Sequence, residues 1–291
     1  MKVPSTHGVD VCVHDLTPAS VADGPDARRV LLMSHATGFH GLCWSPVAAH
    51  LAHRYHCLAL DYRGHGSTPV EEGWQVDWER YGDDAEAAAH HAASIDPGPG
   101  LLAVGHSMGG ACLLMAAHRR PGLFRGLVLF EPIVFPTDRP RTDTGNPLAA
   151  GARRRRRRFA SLADAEANFA AKPPMAAFTP EARWAYVRGG FHPTEDGAVE
   201  LACAPETEAG TFETGGSHHV WDVLPQIEVP VLVLAGVVQP LQASSIAVEI
   251  ARRLPHARYV EDPSMDHFGP MTHPERVARM IEDFEDDLAN G

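Results

Sequence analysis

The sequence predicts an α/β protein with a mostly parallel central sheet that is covered by helices on both faces. Two observations lead to this prediction. Short, nearly continuous apolar runs bounded by turn residues alternate with longer segments of helical pattern, and strands that are buried on both faces have this apolar character. In addition, alternation of strands and helices is typical of parallel sheets, because a helix usually connects two parallel strands.

The individual elements follow from this alternation. Six apolar runs are predicted to be strands of the sheet: 28–35, 56–62, 101–107, 126–132, 229–236 and 257–262. Five other segments have the spacing of apolar residues that is typical of amphipathic helices: 44–53, 79–93, 108–119, 243–254 and 274–288. These elements leave one long part of the chain without an assigned strand.

The segment from residue 136 to residue 221 interrupts the alternation. It shows no strand pattern, but it contains several helix-like pieces separated by proline and glycine. Because a segment of this length is too long for a loop in a compact domain, we expect 136–221 to be an inserted helical cap. The core would then consist of residues 1–135 and 222–291.

The composition limits the classes of function. A formal net charge of −12 argues against nucleic acid as a general partner. The chain contains no run of about 18 apolar residues, and its start lacks the apolar region of a signal peptide, so we expect no membrane partner. Five scattered cysteines without a CxxC pair predict neither a disulfide framework nor a zinc site. We therefore expect a cytoplasmic protein, and the oligomeric state is left open.

The motif Gly-His-Ser-Met-Gly-Gly at residues 105–110 is the strongest functional signal. It lies between a predicted strand and a predicted helix, which is the context of the GxSxG turn that presents a nucleophilic serine. The glycines permit a tight turn that lifts Ser107 above the sheet, and the start of the following helix favours developing negative charge. The alternative is a glycine-rich turn with an incidental serine, which the flanking elements disfavour.

With this motif, the chain resembles the capped, lipase- and esterase-like members of the α/β-hydrolase superfamily over nearly its whole length. Three further segments support the resemblance: 34–44 (SHATGFHGLCW), 60–68 (LDYRGHGST) and 264–270 (SMDHFGP). The resemblance implies the α/β-hydrolase fold with an inserted helical cap. It implies no cofactor and no metal.

The resemblance also implies the other residues of the site. Two backbone N–H groups are expected to bind the developing oxyanion. One belongs to Met108, directly after the nucleophile, and the other to the loop after the first predicted strand, where Thr37 is the first choice and Gly38 the alternative. The catalytic histidine is expected between the last strand and the C-terminal helix, which is the position of His267.

The acid that orients this histidine is missing from its usual place. That place follows the fifth predicted strand, where the chain has Gln239, and glutamine cannot be an anionic partner of a histidine. Glu131 ends the fourth predicted strand and is our preferred acid, because neighbouring parallel strands lie only about 4.8 Å apart. The chain resembles the lactonases that open a resorcylic macrolactone in this placement. Asp61 and Asp222 are kept as alternatives.

Aromatic residues are concentrated in the predicted cap and beside the core motifs, which predicts a small-molecule substrate with apolar bulk. We expect its pocket to be lined by Phe39, Phe135, Trp184, Phe191 and Phe268.

The six consecutive arginines at 153–158 are the most conspicuous feature of the predicted cap. Six helical residues cover more than one and a half turns, so one or two guanidinium groups should turn inward. Two interpretations stay open. The arginines would either recognise a carboxylate or phosphate of the substrate, or form a solvated helix that is balanced by Asp164 and Glu166.

Three hypotheses about function follow. The first is a serine hydrolase that cleaves a carboxylic ester or lactone through an acyl-enzyme, with Ser107 as nucleophile, His267 as base and Glu131 as acid. The second is a C–C bond hydrolase or a perhydrolase that uses the same three residues. The third is a non-catalytic, ligand-binding homologue.

Overall fold

The strands and helices are taken from a computed structural model, which describes residues 1–17, 28–96, 98–137, 145–240 and 242–290. The strands in these residues are Lys2–Pro4 (β1), Asp10–Asp15 (β2), Arg29–Ser34 (β3), Tyr55–Asp61 (β4), Leu101–His106 (β5), Phe124–Phe130 (β6), Arg158–Phe159 (β7), Phe191–Pro193 (β8), Val199–Leu201 (β9), Val231–Ala235 (β10) and Ala257–Glu261 (β11).

Helices alternate with the strands of the core and are most numerous between β6 and β10. In chain order they are Ser45–Leu51 (α1), Trp78–Ile95 (α2), Met108–Arg119 (α3), Pro147–Arg153 (α4), Leu162–Ala170 (α5), Pro180–Gly189 (α6), Pro205–Thr214 (α7), Val220–Val223 (α8), Ser244–Arg253 (α9), Gly269–Thr272 (α10) and Pro274–Asn290 (α11).

Eight strands form one sheet in the order β1-β2-β4-β3-β5-β6-β10-β11. From β4 to β11 every neighbouring pair is parallel, whereas β1 and β2 form an antiparallel edge. The predicted α/β class with a mostly parallel sheet is confirmed, and each of the six predicted strands is present. The sequence prediction missed β1, a short edge strand, and β2, whose apolar residues alternate with polar ones and do not form a continuous run.

Apolar side chains cover both faces of this sheet. In β3, Leu31 belongs to the buried cluster that includes α1 and α11, and Leu32 belongs to the cluster that includes α2, α3 and α9. Successive residues of a strand point to opposite faces, so both leucines are fully buried between the sheet and a helical layer. The parallel strands therefore end at one edge of a sheet that is enclosed on both sides, and the candidate site lies at that edge.

Among the described residues, helices α4 to α8 lie between β6 and β10, and this segment also contains strands. The strands β7, β9 and β8 form a small antiparallel sheet in that order. The prediction of a segment without strands was therefore wrong, because strands of two or three residues are too short to show a period in the sequence. Of the predicted cap, residues 138–144 lie outside the described residues.

The arginine run is not helical, in contrast to the prediction. Helix α4 ends at Arg153, and Arg158 already belongs to β7. Like charges three or four residues apart destabilise a helix, which disfavours continuing α4 through the run. The prediction that Asp164 and Glu166 balance the run was also wrong. Three of the exposed arginines pair with other acids: Arg153 with Glu213, Arg157 with Glu206, and Arg158 with Asp196.

Two expectations from the composition can be compared with the structure. Within the described ranges, no helix combines the length and the apolar character needed to cross a bilayer. All five cysteines are free thiols. Burial raises the pKa of the Cys57 thiol to about 12, so this cysteine is an unreactive thiol at neutral pH.

Candidate active site

Ser107 lies on a tight turn between β5 and α3. Its backbone has φ +56° and ψ −115°, a region that non-glycine residues rarely adopt and that costs about 1–3 kcal/mol. The turn is held on both sides, since Ser107 N donates to Phe130 O at 3.0 Å and Ile133 N donates to Ser107 O at 3.1 Å. A Cβ added to Gly105 would lie 2.7 Å from the Cα of Gly110, so only glycine permits this approach of strand and helix.

His267 lies in the loop between β11 and α10, and its imidazole contacts Glu131. The distance from His267 Nδ1 to Glu131 Oε2 is 2.6 Å. Because a carboxylate is an acceptor, Nδ1 carries the proton of the neutral ring, and the lone pair of Nε2 is left to accept a proton. The Gly236 N–H donates to the other carboxylate oxygen at 2.9 Å, and the side chain of Glu131 is almost completely buried.

Gln239 and the two alternative acids, Asp61 and Asp222, have other contacts in the structure. Gln239 is exposed, and its backbone N–H donates to Ser244 Oγ. Asp222 is half exposed and accepts a hydrogen bond from Thr137. Asp61 is buried in a separate network. Among the carboxylates of the described residues, the one that contacts His267 is that of Glu131.

His106, the residue directly before Ser107, contacts His267 and so connects the turn of the serine to the loop of the histidine. The His106 ring lies 4.8 Å from the His267 ring, measured between centroids. Its Nε2 donates to the backbone carbonyl of His267 at 2.8 Å. Burial lowers the pKa of His106 well below its ordinary value, so the ring is neutral and its proton is on Nε2. No hydrogen bond within the described ranges joins Ser107 Oγ to the imidazole of His267, and such bonds often tighten only when substrate binds.

The sequence analysis did not single out His106, but its contacts in the structure indicate how it would position His267. We expect His106→Leu to lower kcat/KM for ester hydrolysis about 10- to 100-fold, because the partly buried His267 carbonyl loses its donor and the loop is freer to move. His106→Gln keeps an N–H donor and should recover part of the loss. Steady-state kinetics between pH 5 and 9 checks this, with melting temperatures as a control for folding. Equal activity of the leucine variant and the wild type would contradict a positioning role.

The loop after β3 contains the residues that were expected to bind the oxyanion. Phe39 N donates to Ala36 O at 3.1 Å, and Gly38 has φ +75°, so residues 36–39 form a tight turn. Met108 is the first residue of α3, where backbone N–H groups have no partner within the helix. In the contacts of the described residues, the N–H groups of Thr37, Gly38 and Met108 donate to no protein acceptor. All three remain available to a ligand.

Asp61 holds the segment that follows this loop. Its carboxylate accepts the N–H of Gly41 at 2.6 Å and the N–H of Ser67 at 2.7 Å, and it contacts His14 Nε2 at 2.8 Å. Burial alone would lower the pKa of His14, but its bonds to Asp61 and Cys12 raise it to about 9. Burial alone would likewise raise the pKa of Asp61, but the contact with His14 lowers it below the ordinary value. His14 and Asp61 therefore form an ion pair at neutral pH.

This pair predicts a pH-dependent stability. The His14 contribution is complete below pH 6.5 and is lost as the pH rises through about 9, and the Asp61 contribution is lost as the pH falls below about 3.8. The pKa shifts of His14 and Asp61 arise from the same ion pair, so its contribution to the unfolding free energy is counted once. Between pH 6.5 and pH 9.5 the wild type should lose at most about 3 kcal/mol of unfolding free energy that His14→Gln does not lose. Urea denaturation of both proteins at the two pH values checks this, and equal losses would contradict it.

Cys12, His14 and Asp61 also form the one group of three potential metal ligands found in the described residues, with ligand atoms within 4.8 Å of one another. The two backbone N–H groups and the His14 proton already occupy the carboxylate of Asp61. We interpret the group as an ion pair and assign no metal to it.

A cluster of aromatic rings packs against His267 through Phe268. The ring of Phe39 lies 5.2 Å from Tyr186, 6.2 Å from Phe178 and 6.2 Å from Phe268, and Phe268 also packs against His267 at 5.5 Å. Phe39 and Phe268 were expected beside the site. The sequence did not single out Phe178 and Tyr186, because a helical pattern does not show which aromatic residue of an inserted segment faces the core.

The other three aromatic residues expected to line the pocket make no ring contact with His267 in the part of the chain that the structure describes. Trp184 is 44% exposed and Phe135 is 37% exposed, so both are at the surface. Phe191 is buried, but its ring packs on Phe159 and Phe169 inside the inserted segment. These positions do not support a role of the three residues in lining the site.

Comparison with known proteins gives consistent matches. The family described as "Alpha/beta hydrolase family" matches residues 30–280. The 2-(acetamidomethylene)succinate hydrolase of Mesorhizobium japonicum is 26% identical over 263 residues, which cover 88% of each protein. The crystal structure of E-2-(acetamidomethylene)succinate hydrolase covers 98% of both chains with a TM-score of 0.78 and 21% identity. The enol-lactonase from Burkholderia xenovorans LB400 covers 98% of this chain and 100% of its own, with a TM-score of 0.70 and 20% identity. Both structures share the fold of this chain.

Proposed function

This chain belongs to the alpha/beta hydrolase family of enzymes, and from that membership we propose that it is a serine hydrolase for a carboxylic ester or lactone of a small molecule with apolar bulk. The observation that carries the proposal is the 2.6 Å contact between His267 Nδ1 and Glu131 Oε2, beside the strained turn that presents Ser107. In this arrangement the base has a fixed tautomer and a buried counter-charge next to the nucleophile.

The proposed reaction proceeds in two halves. Ser107 Oγ attacks the carbonyl carbon while its proton passes to His267 Nε2, and the carboxylate of Glu131 stabilises the imidazolium. The N–H groups of Met108 and Thr37, with Gly38 as the alternative to Thr37, bind the oxyanion. When the tetrahedral intermediate collapses, the imidazolium returns the proton to the leaving alkoxide. A water molecule then attacks the acyl-enzyme by the same steps and releases the acid.

We also propose that residues 136–221 act as a cap over a core of residues 1–135 and 222–291. The support comes from Phe178 and Tyr186, which belong to this segment and pack against Phe39. Phe178 also packs against Phe268, the ring that contacts His267, so rings of the segment would provide an apolar environment for part of the substrate. The five free thiols support the cytoplasmic location that is part of this proposal.

The relatives guide the choice of test substrates. One of them acts, by its name, on a substituted succinate, and another is an enol-lactonase. Acid-bearing esters and lactones therefore belong in the substrate panel together with neutral acyl esters.

A fluorophosphonate probe tests the nucleophile directly. We expect a single adduct on the peptide that contains Ser107, and loss of p-nitrophenyl ester hydrolysis in proportion to labelling. Intact-protein mass and peptide mapping measure the adduct. A protein that takes no label and hydrolyses none of the panel would instead be a non-catalytic homologue.

A further inference from the structure

Arg155 differs from the other members of the arginine run in its surroundings. Its side chain is 17% exposed, whereas those of Arg153, Arg157 and Arg158 are 49–50% exposed. The exposed members pair with acids at the surface of the inserted segment. Arg155 is the arginine of the run whose side chain turns inward. Its contacts therefore show what the run contributes to the interior of the protein.

Two side chains hold the Arg155 guanidinium. Its Nη1 donates to Glu208 Oε2 at 2.5 Å, and its Nη2 donates to the hydroxyl of Tyr186. A guanidinium has five N–H donors in a planar fork. Within the described ranges these two bonds are the contacts that its donors make. Three N–H groups are therefore left for a further acceptor.

Both partners of Arg155 lie against the oxyanion loop. The side chain of Glu208 fills the space beside Gly38, where an added Cβ would be 2.5 Å from Glu208 Oε1. Tyr186 packs its ring on Phe39, and its carbonyl accepts a hydrogen bond from His40 Nε2 at 2.9 Å. The guanidinium is thus one side chain away from the loop that would hold the scissile carbonyl.

Stability alone does not explain why the charged side chain of Arg155 is mostly buried at this place. Removing an arginine from water is costly, and apolar side chains in place of a buried ion pair are often neutral or stabilising. Glu208 neutralises Arg155 when no ligand is bound. A second carboxylate that reached the three remaining N–H groups would gain charge-assisted, fork-shaped hydrogen bonds.

We propose that Arg155 binds a carboxylate on the acyl part of the substrate, while Glu208 and Tyr186 hold the guanidinium in place. This inference rests on the proposed hydrolase function and names its substrate class: an ester or lactone whose acyl chain bears a carboxylate near the scissile carbonyl. Because Glu208 competes for the same guanidinium, it limits the affinity for that carboxylate.

The test compares two p-nitrophenyl esters of equal carbon number, the anionic glutarate monoester and the neutral pentanoate. The readout is the ratio of kcat/KM for the anionic ester to kcat/KM for the neutral ester. We expect Arg155→Gln to lower this ratio at least about tenfold, as expected for the loss of a charged hydrogen bond. Arg155→Lys keeps the charge without the fork and should give an intermediate ratio. Glu208→Gln should raise the ratio.

Arg153→Gln is the matched control, because it removes an exposed arginine of the same run and should leave the ratio unchanged. The double variant Arg155→Gln/Glu208→Gln removes both charges together, so it serves if the single variant does not fold. If Arg155→Gln and the double variant both keep the wild-type ratio, the proposal is overturned. Hydrolysis of the neutral ester by these proteins would still support the hydrolase function.

If the wild type hydrolyses neither ester and takes no label at Ser107, the hydrolase function fails separately. Calorimetric titration with glutarate then decides the role of Arg155. Binding to the wild type that is lost in Arg155→Gln supports carboxylate recognition. Absence of glutarate binding to the wild type overturns it.

Discussion

Replacing Glu131 with glutamine is expected to lower kcat for ester hydrolysis by about four orders of magnitude. Glutamine has nearly the same shape, and its oxygen can still accept the Gly236 N–H that Glu131 accepts now. It brings no negative charge to the imidazolium, however. Its amide N–H₂ also favours a proton on Nε2 instead of Nδ1, and His267 in that tautomer cannot accept the proton of Ser107.

Turnover of a p-nitrophenyl ester by the purified variant measures this effect, and the melting temperature verifies that the fold is intact. Gln239→Ala is the control, because Gln239 occupies the usual position of the acid but is exposed and does not contact His267. It should change kcat less than about twofold, as is usual for a surface substitution. If Glu131→Gln kept a tenth or more of the wild-type turnover, Glu131 would be structural, and another group would have to orient the histidine.

Replacing Ser107 with alanine is expected to reduce kcat about 10⁶-fold, because the acyl-enzyme can no longer form. The hydroxyl of Ser107 makes no hydrogen bond in the described part of the chain, so its removal leaves no buried group unpaired. The strain of the turn is in the backbone at φ +56°, and alanine keeps that backbone. The stability of the variant should therefore stay within about 0.5 kcal/mol of the wild type.

The measurement is hydrolysis of the same ester, together with urea denaturation to compare stability. Ser94→Ala is the control, because Ser94 is an exposed serine near the end of α2 and should have full activity. Substantial turnover by Ser107→Ala would show that the nucleophile is a different group, and the proposed mechanism would then be wrong.

The parts of the fold that were predictable from the sequence are those whose signal is local. Strands β3 to β6 and β10 are apolar almost throughout because both faces of the sheet are covered there, and this burial marks them without any knowledge of their neighbours. Edge strand β11 is less buried, and its run is less apolar. The turn at Ser107 is equally local, since its glycines stand directly beside the serine. Edge strand β1 and the short strands β7 to β9 have no such mark, and their pairing depends on residues far away in the chain.

The residues of the candidate site also divide into those with a local signal in the sequence and those without one. Glu131 was preferred as the acid because the usual position holds glutamine and the neighbouring strand ends in a carboxylate. The role of His106 was missed, because its contact is with the backbone of a residue 161 positions later. For the same reason, nothing in the repeated arginines indicated that Arg155 alone would meet Tyr186 and Glu208. Contacts between distant segments decide these roles, and a periodic pattern does not record them.

The carboxylate of Glu131 joins the ends of two strands, because it extends from the end of β6 and accepts the N–H of Gly236 at the end of β10. The proposed acid on β6 is therefore anchored to the end of β10, the strand after which the acid is usually expected. During divergence, a protein of this fold could carry acids after both strands for a time, and either one could then be lost without an inactive intermediate. We therefore expect the strand that supplies the acid to reflect the ancestry of the chain and not the bond that the enzyme cleaves.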